Sequence, residues 1–185
     1  MNLSILARIL SPSLLLILIN VFLKIGIEYY HLSFSLVLII FNWKKNKGGM
    51  FFGLISIIIL SYISFFIAYF SIHLLHEIFK LFQFQTYSGI VSIAVSSFII
   101  APILVFFSFK FIFNYSNTKI TYRIILISLF FLIIVSCIFY YFNDNEIIKF
   151  LKNNKLDHYT FWQVIMALAI QFLTFQKSIW RKEKI

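Results

Sequence analysis

Two long apolar runs constrain the fold of this chain more than any other feature of its sequence. Residues 50–72 and 86–109 contain no charged side chain, and each run exceeds the ~20 residues with which an α-helix crosses a bilayer. The chain is 62% hydrophobic and only 12% charged, whereas a soluble domain carries about 25% charged residues. We therefore predict an all-α polytopic integral membrane protein, with residues 1–185 forming a single membrane domain.

Six runs approach the length of a spanning helix, namely residues 9–24, 29–43, 50–72, 86–109, 121–142 and 159–176. Only Lys24, Glu28 and His31 separate the first two runs. If Lys24 and Glu28 paired one helical turn apart, the two runs would form one helix and the count would be five. Both charges would then lie near the middle of that helix, which is costly in a bilayer. We predict about six transmembrane helices, arranged as three hairpins.

Basic residues are distributed unevenly in this threading. With a cytoplasmic N-terminus, the inner segments carry eleven basic residues and one acid, Glu183. The outer segments carry five basic residues and five acids. Because positively charged loops remain in the cytoplasm, we predict that both termini are cytoplasmic. The net charge of +10 then indicates anionic lipid headgroups as the partner of the inner face, rather than nucleic acid.

The composition also bears on the source and the compartment. Lys, Asn, Ile and Phe are abundant, which is typical of an AT-rich bacterial genome, so we predict a bacterial inner membrane. The only cysteine is Cys137, so the chain has no internal disulfide and no CxxC motif.

Residues 71–85, SIHLLHEIFKLFQFQ, are the stretch where histidines and an acid come together. On a helix, His73, His76 and Glu77 share one face, and the opposite face is apolar. The pattern predicts a short amphipathic segment near residues 73–84 at the outer surface, either extending the third helix or lying along the bilayer.

The same polar face permits a sharper interpretation. Two histidines one turn apart, beside an acid, can hold a transition metal, so His73, His76 and Glu77 are candidate ligands. The order H-x-x-H-E differs from the H-E-x-x-H zinc signature, so another ligand would be needed. His31 and His158 are candidates, since all four histidines fall on the outer side in this threading.

A second amphipathic segment is predicted near residues 145–156. Asp144 or Asn145 could cap it, and Ile147 and Ile148 would face lipid.

Small and polar residues mark the faces where helices should pack. Ser61 and Ser64 lie on the third helix, which we expect to form a central hairpin with the fourth, where Pro102 should cause a bend. Gln163 and Gln171 lie on one face of the last helix. Buried glutamines need partners, so this face should point into the bundle or toward another subunit, as packing contacts or as the lining of a pathway.

No catalytic signature is present: the chain lacks a GxSxG elbow, a P-loop and a dinucleotide-binding glycine pattern. We predict a non-catalytic accessory or scaffold component of a membrane assembly, associating with other membrane proteins or with itself and requiring no cofactor. One alternative is a transporter or channel subunit for a small solute or ion. The other is a metal-dependent enzyme at the outer face, built on His73, His76 and Glu77.

Overall fold

The structure is a computed structural model that describes residues 3–24, 26, 29–82, 88–113, 115 and 118–179. Glu28, Gln83, Glu183 and the basic residues after Ile179 therefore lie outside the described residues. Within these ranges the chain is helical except for short connections, and no β-strand occurs. Asn46 and Phe113 form an isolated antiparallel bridge between two connections.

Seven helices occur in the described part of the chain. They are α1 (Leu3–Leu23), α2 (Tyr30–Asn42), α3 (Gly49–Leu81), α4 (Ser88–Ile112), α5 (Lys119–Tyr141), α6 (Glu146–Asn153) and α7 (His158–Ile179). A 3₁₀ turn, Trp43–Lys45, follows α2. Gly49 begins α3 with a φ of +80°, a left-handed conformation that glycine adopts without steric cost.

Among the described residues, four helices are long and apolar enough to cross a membrane: α1, Phe51–Leu81 of α3, α4 and α5. The chain is therefore an all-helical protein of the membrane-spanning type. α2 has 13 residues, about 20 Å at ~1.5 Å per residue, which is shorter than the ~30 Å hydrocarbon core. α7 has 22 residues, enough to span by length, but it falls short in apolarity.

α1 and α2 are separate helices rather than one long helix. α1 ends at Leu23, and Lys24 follows with a φ of 45°. That left-handed conformation is incompatible with continuing a right-handed helix. α2 then begins at Tyr30, so Lys24 does not lie within a continuous apolar helix.

α7 is the most buried of the long helices. It packs against α1, α5, α2 and α4, and half of its residues are buried. The predicted α3–α4 hairpin forms, with α3 packed along both halves of α4. A helix covered by protein can carry polar side chains that a lipid-facing helix cannot, which explains the lower apolarity of α7.

Side-chain contacts show that successive long helices run in opposite directions. Ser13 and Asn20 of α1 contact Val164 and Gln163 of α7, respectively. The same antiparallel order holds between α2 and α3, between α3 and α4, and between α5 and α7.

As a result, eight of the thirteen described basic residues gather at one end of the bundle, which we call the basic end: Arg8, Lys44, Lys45, Lys47, Lys110, Lys119, Arg123 and Lys177. The other five, Lys24, Lys80, Lys149, Lys152 and Lys155, belong to the opposite end. The described carboxylates lie on elements at the opposite end, namely Glu77, Asp144, Glu146 and Asp157.

α4 contains a π-helical turn, Ser96–Ile100, immediately before Pro102. Here the Ala101 amide donates to the Ser96 carbonyl, five residues back, and Pro102 has no amide hydrogen. In a regular α-helix the Ser97 carbonyl would accept from the Ala101 amide, which here bonds to Ser96 instead. The Trp162 indole Nε1 donates to the Ser97 carbonyl at 2.9 Å. The change of register before Pro102 therefore joins α4 to α7.

The two amphipathic segments differ in form. Residues 73–81 simply continue α3, without a break at the predicted boundary. α6 is a separate helix, and Asn145 caps it by accepting a hydrogen bond from the Ile147 amide at 2.9 Å. Ile147 is exposed, but Ile148 is buried against the bundle, so the expectation that Ile148 faces lipid was wrong.

Candidate functional site

The most connected group of buried polar side chains lies where α1, α2 and α7 meet, and we call it the outer polar cluster: Asn20, Thr160 and Gln163. The Asn20 amide donates to Gln163 Oε1 at 2.7 Å and to Thr160 Oγ1 at 3.1 Å. The Gln163 amide in turn donates to the Tyr30 carbonyl of α2. All three cluster side chains are almost fully buried. Together with the Tyr30 carbonyl, they link three helices.

The positions of these residues on their helices explain why the bonds restrain the rotation of one helix against another. Thr160 and Gln163 are three residues apart and share a face of α7, while Asn20 is near the C-terminal end of α1. Lipid offers no partner to a buried amide, so a polar side chain between helices bonds to a neighbouring helix. The cluster therefore fixes the relative rotation of α1, α2 and α7.

A second buried polar group lies closer to the basic end, around Gln171. Gln171 is 0% exposed, and within the described part of the chain neither its Oε1 nor its Nε2 has a hydrogen-bond partner. Asn42, at the end of α2, is also buried. Its amide donates to the Leu38 carbonyl at 2.9 Å, but its Oδ1 has no partner among the described residues. An unpaired amide in a low-dielectric interior costs about 1–3 kcal/mol, so this is the least satisfied region of the core.

The Lys45 side chain contacts α7 at Thr174, about one helical turn from Gln171. Its Nζ donates to the Thr174 carbonyl at 2.9 Å and lies 3.5 Å from the Phe175 ring centroid. Burial, with a smaller effect from the nearby Arg8 charge, lowers the pKa of the Lys45 amine. A cation at this position also complements the C-terminal end of the α7 dipole.

Ser61 and Ser64 lie at the contacts of α3 with α2 and with α4. Ser61 shares a hydrogen bond with Ser35 of α2, and Ser64 lies 3.3 Å from the Ser108 hydroxyl of α4. Both serines are buried. Their hydroxyls bridge α3 to its two neighbours, which is a packing arrangement.

The histidine stretch is placed at the projecting end of α3. His73 is exposed, and its ring packs edge-to-face on Tyr69 at 5.1 Å. Glu77 bonds to Lys80 at 2.8 Å, and His76 Nδ1 has no partner within the described residues.

His31 and His158 lie on other helices. The His31 ring contacts Tyr62 and Phe65 of α3, and the His158 ring contacts Phe139 of α5. Within the ranges that the structure describes, no group of three or more His, Cys, Asp or Glu residues lies close enough to hold a metal ion.

The sequence interpretation singled out Gln163 and Gln171 but missed Asn20, Asn42 and Thr160. A signal for Asn20 was present, because it is the only strongly polar residue in the run LLLILINVFL, and polar residues within spanning helices usually face the bundle. Asn42 and Thr160 lie at helix ends, where a polar residue carries no such information.

No family model matches the chain, and no curated protein or solved structure matches it. The function must therefore be inferred from the geometry alone.

Proposed function

We propose that this chain is a non-catalytic scaffold or accessory subunit of an assembly in the plasma membrane of a bacterium. The observation that carries the proposal is the outer polar cluster, in which Asn20, Thr160 and Gln163 are used to hold three helices together. The Asn20 amide nitrogen and both atoms of the Gln163 amide form these interhelical bonds and are therefore not free to bind a substrate, whereas Asn20 Oδ1 is buried without a partner among the described residues. The predicted outer-face histidines likewise form no three-ligand group among the described residues.

We further propose that α2 and α7 also cross the bilayer, giving six crossings with both termini in the cytoplasm. Support comes from the alternating directions of the helices and from the basic end, which the positive-inside rule would place in the cytoplasm. A short α2 is acceptable in this arrangement because protein covers it: Phe34, Val37 and Leu38 are buried.

The most exposed of the apolar helices is the best candidate for contact with a partner. Only 17% of the apolar window of α5 is buried, and the exposed Cys137 lies on it. Lipid can cover such a surface, so exposure alone does not identify a partner. It does provide a native crosslinking position on the surface of interest.

Crosslinking at Cys137 in native membranes tests the scaffold role. A short bismaleimide or a photoactivatable maleimide should give a discrete higher-mass product from the wild type, and none from Cys137→Ser. Moving the cysteine to the exposed position Phe70 of α3, near the same end of the bundle, as Phe70→Cys in the Cys137→Ser background, tests whether the contact is specific to α5. A strictly monomeric protein, with no product from either position, would argue against the proposal.

A transporter or channel subunit for a small neutral solute is the second candidate, and Gln171 favours it. A fully buried amide with unpaired Oε1 and Nε2 atoms could bond to a passing polar solute. Purified protein in sealed vesicles should then transport a solute that empty vesicles exclude, and Gln171→Met should abolish that flux. Vesicles that remain tight to ions and small solutes would count against this candidate.

A further inference from the structure

A groove opens between α4 and α5 at the basic end. It has a volume of about 220 Å³. α4 and α5 touch mainly at the π turn Ser96–Ile100, so they diverge toward the connection that joins them. We call this space the α4–α5 groove, and its walls include Phe106, Phe107, Lys110, Tyr122 and Ile125.

The walls of the groove are largely apolar. Phe106 is buried, Ile125 is half-buried, and Phe107 and Tyr122 are exposed at the rims. Tyr115 closes the groove near the connection by donating its hydroxyl to the Phe106 carbonyl. Burial raises the pKa of the Tyr115 phenol, so it stays neutral and adds no charge. A space of this kind between membrane helices favours a hydrocarbon chain, because the chain gives the apolar atoms of the walls van der Waals partners that they would otherwise lack.

One end of the groove is cationic. Lys110 is part of its wall, and Lys47 lies beside Lys110, with its Nζ donating to the Lys110 carbonyl at 3.1 Å. Lys119 and Arg123 are at the start of α5. No described carboxylate belongs to this end of the bundle, so the positive charge has no partner within the described chain.

We propose that the α4–α5 groove binds one anionic phospholipid, with an acyl chain against Phe106, Phe107 and Ile125 and the phosphate near Lys110. A zwitterionic lipid offers the same chain without net charge, and inorganic phosphate offers the charge without a chain. Only an anionic lipid satisfies both the apolar wall and the cationic end. This site does not depend on the scaffold role, because a transporter with the same fold would carry the same groove.

Native mass spectrometry of the full chain, released from detergent, tests the proposal. Phosphatidylglycerol should be retained as one molecule per chain, and phosphatidylcholine should be lost at lower collision energy. Lys110→Gln should lower phosphatidylglycerol affinity about fivefold, the effect expected of one cation near a lipid surface. Lys44→Gln is the matched control, because Lys44 lies at the same end but over the Trp43 ring, 5.4 Å from its centroid.

A second pair of variants tests the apolar wall. Ile125→Trp should fill the groove and lower retention of both lipids, whereas Leu126→Trp, at the adjacent exposed position, should leave retention unchanged. Excess inorganic phosphate should not displace the bound lipid.

Several outcomes would overturn the site. These are equal retention of the two lipids, an equal effect of Lys44→Gln and Lys110→Gln, an equal effect of the two tryptophan variants, and complete displacement by inorganic phosphate. The first would mean an apolar groove that is indifferent to headgroup charge, the second would mean diffuse attraction to the basic end, and the last would mean a phosphate site without a chain.

Discussion

The side-chain amide of Asn20 lies 2.7 Å from Gln163 Oε1, across the contact between α1 and α7. The two residues are 143 positions apart in the sequence, so this bond joins the first helix to the last. Because Gln163 also donates to the Tyr30 carbonyl, a single glutamine connects three helices. The stability of the bundle should depend on this residue more than on any apolar residue at its lipid-facing surface.

Asn20→Ala should lower the free energy of unfolding by about 1–2 kcal/mol, the value of interhelical hydrogen bonds in model membrane peptides. Gln163→Ala should have a similar or larger effect. In the double variant the losses should not add, since both changes remove the same bond. Unfolding in mixed detergent, followed by circular dichroism, measures all three variants. Leu18→Ala, on the exposed face of α1, is the control. Fully additive losses would show that the bond contributes nothing.

Replacing Gln171 should not lower the free energy of unfolding, in contrast to replacing Asn20 or Gln163. Because neither atom of its amide has a partner among the described residues, Gln171→Met removes an unpaired polar group while conserving an unbranched side chain. Such a change is neutral or stabilising when nothing is bonded to the group. We expect an unfolding free energy equal to or above that of the wild type, in contrast to a loss for Gln163→Met. A clear loss of stability in Gln171→Met would mean that the amide has a partner, such as a buried water.

The predicted metal site can be tested directly. Glu77 is engaged by Lys80 at 2.8 Å, and the His73 ring packs on Tyr69, so we expect metal far below one atom per chain in protein purified without chelator. Elemental mass spectrometry measures this, with a His73→Ala/His76→Ala double variant alongside. Stoichiometric zinc or iron that disappears in the double variant would instead establish a metal centre and favour the enzyme hypothesis.

The long apolar runs predicted the main helices well. The run 86–109 corresponds to α4 (Ser88–Ile112), and the run 121–142 corresponds to α5 (Lys119–Tyr141). Apolarity identifies a helix that contacts lipid, so prediction was best where lipid contact is greatest. The apolar run ended at residue 72 because His73 and Glu77 are polar, which left two alternatives for the stretch that follows. The structure shows the first of them, since α3 continues as a regular helix past the apolar region to Leu81.

The arrangement of the helices could not be predicted in the same way. Gln163 and Gln171 were expected on one face of the last helix, but their spacing does not say which helix faces them. Asn20 had to be found in another helix 143 residues away, and no local pattern encodes that pairing. The α4–α5 groove is still less predictable, since it depends on how far two neighbouring helices diverge.

Alanine substitution should lower the stability of the protein at Gly53 and raise it at Gly89. At Gly53 an added Cβ would overlap the Asn46 side-chain amide and lie 2.8 Å from Ile39 Cδ1, so Gly53→Ala must displace the Asn46 amide from its bonds to Gly48 and Gly49. The loss of such a bond costs about 1 kcal/mol. At Gly89 no atom of the described residues lies within 4 Å of the added Cβ, and alanine is a better helix former, by less than ~1 kcal/mol because Gly89 lies in the first turn of α4. Thermal unfolding in detergent compares the two variants. Equal effects would contradict the close contact between Gly53 and Asn46.

The Trp162–Ser97 bond should depend on Pro102. Trp162→Phe removes the indole donor at 2.9 Å from the Ser97 carbonyl, and the loss should be about 1 kcal/mol, the net value of a typical hydrogen bond. In a Pro102→Ala background the new amide at position 102 can donate to that carbonyl, so Trp162→Phe should cost less there. Trp43→Phe, at an exposed position at the basic end, controls for loss of the larger ring. If Trp162→Phe costs the same in both backgrounds, the π turn and Pro102 are not what leaves the Ser97 carbonyl available to α7.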